Sequence, residues 1–179
     1  MQALKSIGIK KAIMFVFYSL VSGLLKIVVL PQIRVLLMRL MGARIGKNTI
    51  IQDVTLANLY HYGFSRLEIG DDCFIGDEVM IDTRGGVKLG NHVTLSNRSI
   101  VISHINVGYE SHPLQKAYPT KEGLVEIRNG AYIGTAAIVL PGVKVGANSV
   151  IGAGAVVTKN VAKNTVMVGV PAKVIKKIK

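Results

Sequence analysis

Broken every six positions, residues 127–162 read IRNGAY, IGTAAI, VLPGVK, VGANSV, IGAGAV, VTKNVA. Each hexad opens on Ile127, Ile133, Val139, Val145, Ile151 or Val157. Four positions on stands a small or short residue: Ala131, Ala137, Val143, Ser149, Ala155 or Val161. Neither the 3.6-residue period of a helix nor the two-residue period of a strand keeps such a column in register. A period of six is that of a parallel β-helix, in which short strands stack coil upon coil. Three strands per coil make a triangular prism with Ile or Val pointing inward, so these hexads form two full coils.

Upstream the repeat starts at Ile45 and Ile51 and breaks across Ala57–Arg66, a stretch containing Tyr60-His61-Tyr62. It resumes at Ile69, Ile75 and Ile81, slips near Arg84-Gly85-Gly86, and runs through Leu89, Leu95 and Val101. A second interruption covers residues 104–126. The reading is therefore a mainly β chain. Residues 1–43 form an apolar, basic helical extension, 44–170 the repeat domain with its 104–126 loop, and 171–179 a basic tail. Stacked parallel strands leave open edges at both ends, and the terminal segments are the candidate caps.

The 179 residues suit one domain, and 19 glycines suit a repeat with many turns. The single cysteine, Cys73, falls on a repeat position and reads as core, not nucleophile. The formal net charge is +12, unevenly spread. All 10 acids lie between Asp53 and Glu126, so the chain is basic at both ends. No nucleic-acid motif accompanies the charge, so nucleic acid is not expected as a partner. An anionic membrane surface for the N-terminus and a phosphorylated co-substrate for the C-terminus explain the pattern better.

Residues 12–30, AIMFVFYSLVSGLLKIVVL, are interrupted only by Lys26 among charged types. About twenty apolar residues cross a bilayer, so this segment is borderline. No small-residue cleavage site follows it, against a signal peptide. Apolar surface together with bases supplies the two signals of an interfacial or re-entrant anchor, and a packing or capping helix is the alternative. A second short helix over 32–41 gathers Ile33, Leu36, Leu37 and Leu40 on one face, with Arg34 and Arg39 elsewhere.

Three stretches carry a family resemblance: Ile133-Gly134 with Ile138-Val139-Leu140-Pro141-Gly142-Val143, then Ile151 to Lys159, then Gly169-Val170-Pro171-Ala172-Lys173-Val174-Ile175. Over roughly Gly42–Lys179 the chain resembles the hexapeptide-repeat acyltransferases, in particular the sugar and polysaccharide O-acetyltransferase branch. The resemblance implies a left-handed parallel β-helix, a homotrimer, and acetyl-CoA as co-substrate between neighbouring subunits. It further implies Thr135, Ala153 and Thr158 along the pantetheine groove, and Tyr132, where the family often has tryptophan, as a wall of the cofactor or substrate cleft. Lys159, Lys173 and Lys176 would meet the phosphates.

Acetyl transfer to a hydroxyl needs a general base, and imidazole is suited to it near neutral pH. His104, where the long loop begins, matches the family's catalytic histidine. His112, just before Pro113, is the alternative. Asn97 and His112 are candidates for acceptor binding, Asn97 equally for a strand corner. His92 reads as outward-facing, and His61 as either a pocket or an exposed residue. No metal is expected: a zinc enzyme on this fold needs three converging imidazoles, and no Gly-x-Ser-x-Gly elbow suggests a hydrolase. The expectation is an acetyl-CoA-dependent O-acetyltransferase acting on a sugar hydroxyl of a surface glycan, lipid-linked sugar or related saccharide. It would work in the cytoplasm on the inner face of the cell membrane. An N-acetyltransferase of amino-sugar nucleotides and a non-catalytic β-helical scaffold are the alternatives.

Overall fold

The computed structural model describes residues 8–179. Two helices, α1 (Ile9–Ile27) and α2 (Pro31–Leu40), precede a parallel β-helix built from strands mostly two to four residues long. Numbered in chain order, the strands that matter below are β1 (Arg44–Ile45), β2 (Ile50–Ile51), β3 (Val54–Ala57), β4 (Leu67–Ile69), β5 (Phe74–Ile75), β6 (Val79–Asp82), β7 (Val87–Leu89), β8 (Thr94–Leu95) and β9 (Ile100–Val101). They are followed by β10 (His104–Ile105), β11 (Lys121–Glu122), β12 (Val125–Ile127), β13 (Tyr132–Ile133), β14 (Ile138–Val139), β15 (Lys144–Val145), β16 (Val150–Ile151), β17 (Val156–Val157), β18 (Thr165–Val168) and β19 (Lys173–Lys177).

Three sheets form the walls: β1-β4-β7-β12-β15, β19-β18-β16-β13-β8-β5-β2 and β17-β14-β9-β6-β3. The hexads land as the period requires. Ile127 pairs with Val145, Ile133 with Ile151, and Val139 with Val157, one coil apart on the first, second and third sheet. Their side chains are almost wholly buried, each contributing roughly 1.5–3 kcal/mol by leaving water. Two-residue strands leave the chain to turn a corner at once. Asn48, Asp72, His92 and Asn148 do so with positive φ between the first and second sheets, and Asn tolerates that conformation best among non-glycine residues. Cys73 is buried and its thiol is pushed up chiefly by burial, consistent with a core role.

At the open end, α2 lies against β1 and β2, but with a face opposite to the one its apolar stripe suggests. The buried residues are Arg34, Val35 and Met38, while Ile33, Leu36 and Leu40 are exposed. Arg34 donates from Nε to the Leu25 carbonyl at 2.9 Å, from Nη1 to the Ile51 carbonyl at 2.7 Å, and from Nη2 to the Val28 carbonyl. Arg39 donates to the carbonyls of Ile45 and Gly46. An edge strand presents unpaired carbonyls, and a helix end leaves its last carbonyls open. Here guanidinium groups satisfy those of Ile45, Gly46 and Ile51 at the strand edge and those of Leu25 and Val28 at the end of α1. That need outranks the burial of three aliphatic side chains.

Helix α1 ends at Ile27, so the apolar stretch is not one continuous helix, and among the described residues no helix is long and apolar enough to cross a membrane. Leu25 is its one buried residue, with Tyr18 and Val21 packed against the core. Ile13, Val16, Phe17, Leu20 and Leu24 stay exposed. At the other end, the basic tail, a candidate cap, forms β19, which pairs antiparallel with the end strand β18 and is exposed throughout.

Candidate functional site

Both interruptions of the repeat, and the slip at Arg84-Gly85-Gly86, meet at one corner of the prism. Strand β6 ends on Asp82, opposite Ala57 of β3, and the chain after β9 passes Ser103 and leaves as the hairpin β10–β11. The close approach there needs glycine: a Cβ on Gly85 would lie 1.9 Å from the Ser103 carbonyl oxygen. Asp82 is 2% exposed. Its Oδ2 accepts from the Ser103 amide at 2.9 Å and lies 2.6 Å from His104 Nδ1, while the Ser103 hydroxyl donates to the Asp82 backbone carbonyl at 2.6 Å. Its Oδ1 accepts from Asn58 Nδ2 at 2.8 Å and the Arg84 amide at 3.3 Å. Burial pushes this carboxyl up, but the bonds from His104, Asn58 and the Ser103 and Arg84 amides outweigh it and hold it below its ordinary value. An ionised carboxylate only accepts, so Nδ1 donates this bond, which in a neutral imidazole leaves the lone pair on Nε2.

The other histidines sit differently. His112 is exposed in the loop, and its Nδ1 accepts the Leu114 amide at 3.2 Å, with no ion pair to a carboxylate among the described residues. His92 is exposed at a corner between the first two sheets, as its outward position implies. His61 is half-buried between Tyr60, at 4.4 Å between ring centroids, and Tyr62, at 6.1 Å. Burial first, then the charges of Arg84 and Lys11, lower its pKa from 6.5 to about 4. Its Nε2 is shielded from solvent and finds no partner among the described residues.

Glu122, directly across the β10–β11 ladder from His104, accepts from Arg66 Nη1 at 2.8 Å and Arg84 Nε at 3.1 Å. Sequence reasoning missed Asp82, Asn58, Arg66, Arg84 and Glu122. The available signal was an acid standing immediately before the slip in the repeat.

The residues expected to meet the co-substrate are all exposed, but they fall into separate groups. Thr135 and Ala153 stack at the corner between the second and third sheets, where the Gly154 amide donates to the Thr135 carbonyl at 2.9 Å. Tyr132 lies on β13, and Lys173 and Lys176 lie on β19 of the same sheet. Thr158 and Lys159 follow β17 at the corner shared with Ser103 and His104. Asn97 Oδ1 accepts the Asp77 amide at 3.2 Å, the strand-corner use of that side chain. Two surface concavities, of about 430 and 310 Å³, lie on the first sheet, lined by residues such as Arg44 and Lys88 or Arg128 and Lys163. Neither contains His104 or Asp82.

The sequence pattern described as bacterial transferase hexapeptide (six repeats) matches residues 125–159, and that of the hexapeptide repeat of succinyl-transferase matches residues 66–101. A galactoside O-acetyltransferase of Lactococcus lactis is 31% identical over 152 residues, covering 83% of this chain and 69% of that relative. The chain belongs to the hexapeptide-repeat acyltransferase family. A solved galactoside acetyltransferase in complex with coenzyme A is 28% identical, with a TM-score of 0.62 over 82% of this chain and 70% of that one. A hexapeptide-repeat acetyltransferase of Vibrio cholerae shares the fold at a TM-score of 0.82, covering 96% of this chain and 94% of that one at 20% identity.

Proposed function

We propose that this acyltransferase is an acetyl-CoA-dependent O-acetyltransferase acting on a sugar hydroxyl, with His104 as general base. The observation that carries the reading is the 2.6 Å contact between His104 Nδ1 and Asp82 Oδ2. It leaves Nε2 basic, orients the ring and stabilises the imidazolium once a proton arrives. The acceptor hydroxyl gives its proton to Nε2 as its oxygen attacks the thioester carbonyl. The C–S bond then breaks, and the leaving thiolate takes the proton back from the imidazolium. A positioned imidazole is worth about 10²–10⁴-fold in such a step.

The coenzyme A complex of the related galactoside acetyltransferase supports acetyl-CoA as the donor. Tyr132, Thr135, Ala153 and Thr158 are assigned to the pantetheine arm, and Lys159, Lys173 and Lys176 to its phosphates. Because these residues divide between two corners and a sheet face of one chain, a groove built from two subunits of a homotrimer accommodates them better than one subunit alone. The exposed apolar residues of α1 and α2, with Lys10, Lys11 and Lys26 on α1, fit an anchor on the surface of an anionic membrane. Such an anchor would suit an acceptor of the surface-glycan or lipid-linked sugar class and an enzyme working on the inner face of the cell membrane.

The test is thiol release from acetyl-CoA with a panel of saccharide acceptors, comparing wild type with His104→Ala. Turnover lost while titration calorimetry still shows acetyl-CoA binding supports the reading. Undiminished turnover in His104→Ala moves the base elsewhere, with His112 the next candidate.

A further inference from the structure

Beside the base, positive charge exceeds negative charge in a setting lined by aromatic rings. Arg66 and Arg84 share the single carboxylate of Glu122. The Arg84 side chain is 16% exposed, and the Nη groups of Arg84 make no hydrogen bond among the described residues. The Arg66 guanidinium lies 3.4 Å above the Tyr62 ring while its Nη1 also donates to the Arg84 carbonyl at 2.7 Å. Lys11 of α1 adds a third cation close enough to disfavour protonation of His61. The nearby acids are Asp82, which is saturated by Asn58, Ser103, Arg84 and His104, and Glu122, which faces two guanidiniums. His61, whose Nε2 is buried without a partner among the described residues, flanks Tyr62, the ring that Arg66 covers.

Catalysis as proposed needs none of these cations: the hydroxyl proton goes to His104, and the phosphates of coenzyme A are assigned elsewhere. We propose that Arg66, Arg84 and His61 form a subsite for a phosphoryl group carried by the acceptor saccharide, with Tyr60 and Tyr62 bordering the sugar. Guanidinium groups bind phosphate by charge-assisted, often bidentate hydrogen bonds, and a donor from His61 would complete the set. The subsite is continuous with α1, because Phe15 stacks edge-on against Tyr60 at 5.5 Å and Tyr18 against Phe64 at 6.1 Å. A saccharide joined through phosphate to a lipid would thus keep its chain beside the apolar face of α1 and its sugar beside His104. This inference deepens the proposed acetyl transfer and rests on it. A nucleotide-borne phosphate has the same chemistry, so the source is a separate question.

The experiment is calorimetric titration of the full chain, saturated with coenzyme A so that the co-substrate's phosphate sites are filled, with glucose 1-phosphate and with glucose. Glucose 1-phosphate is expected to bind and glucose not to. Arg66→Gln and Arg84→Gln should each weaken binding about tenfold or more, while Lys88→Gln, on the first sheet, should leave it unchanged. Coenzyme A affinity retained by the Arg variants shows that they are folded. Equal or absent binding of both sugars by protein that binds coenzyme A overturns the inference alone, as does phosphate binding indifferent to both arginines. Failure to bind coenzyme A overturns the underlying acetyl-transfer reading instead. Sedimentation with phosphatidylcholine vesicles carrying a polyprenyl phosphate, against vesicles of equal charge carrying phosphatidylglycerol, identifies the source. Arg84-dependent preference for the former makes it lipid-borne; its absence, with glucose 1-phosphate still bound, makes it soluble.

Discussion

His104 and Asp82, twenty-two residues apart, meet at 2.6 Å because one strand ends on the carboxylate and the coil above it ends on the imidazole. The Ser103 amide binds the same Oδ2 and the Ser103 hydroxyl binds the Asp82 backbone carbonyl, so backbone and side chain together fix where the ring stands. A carboxylate with this many donors is held in place even before substrate arrives.

Replacing that carboxylate with an amide tests what it does. Asp82→Asn keeps the shape but removes the charge that selects the tautomer and stabilises the imidazolium. Turnover is expected to fall by about 10²–10⁴-fold, with acetyl-CoA affinity little changed. Steady-state kinetics beside calorimetry checks this. An equal loss of affinity would point instead to a structural collapse of the corner.

The cap rests on Arg34, which is 4% exposed and donates to three carbonyls. Arg34→Leu leaves those acceptors buried and unpaired, at a cost of about 3 kcal/mol or more. Urea unfolding should show a lower midpoint with an unchanged slope. Arg39→Leu, whose bonds are exposed, should cost much less.

Acid should weaken the 58–66 loop through His61. Its folded pKa of about 4 lies below the 6.5 of the free side chain, so between these values the unfolded chain binds the extra proton. The His61 contribution is complete above pH 6.5 and is lost as pH falls toward 4. Thermal unfolding of wild type across that window should fall more steeply than that of His61→Gln. Parallel curves would show that His61 is not held neutral by the fold.

Attachment to lipid is better tested by substitution than by truncation. Deleting residues 1–43 would remove Arg34 and its cap along with the apolar surface. Ile13→Glu with Leu20→Glu changes residues 63% and 71% exposed, so the fold should survive. Sedimentation with vesicles containing phosphatidylglycerol should drop at least about tenfold, with thermal stability held within a degree or two. Undiminished sedimentation would remove the anchor reading and return α1 to a packing role.

Gly85 is where the backbone of the slip presses on Ser103. A methyl group there meets a carbonyl oxygen at 1.9 Å, so the chain must move. Gly85→Ala is expected to displace Ser103 and with it His104, lowering turnover more than Asp82→Asn does and lowering the unfolding temperature as well.

The hexad period by itself determined the architecture. An inward Ile or Val every sixth residue can be buried in only one register, so Ile127 stacks on Val145 and Ile133 on Ile151 with no further information. The slip at 84–86 and most of the breaks at 57–66 and 104–126 were legible for the same reason, since departure from a period is as visible as the period, although Ala57 still pairs with Asp82 and Val125 already pairs with Val87. His104 was legible because it stands where one break begins. Its partners were not. Asp82, Asn58, Arg66, Arg84 and Glu122 come together across coils of unequal length, and each interruption alters the separation at which residues stack. The orientation of α2 was hidden for another physical reason: the helix answers to open carbonyls at the end of the prism, and hydrophobic patterning carries no record of them. Tertiary structure decided which charge is buried and which apolar face is left outside, because unsatisfied hydrogen bonds at a strand edge cost more than exposed leucines.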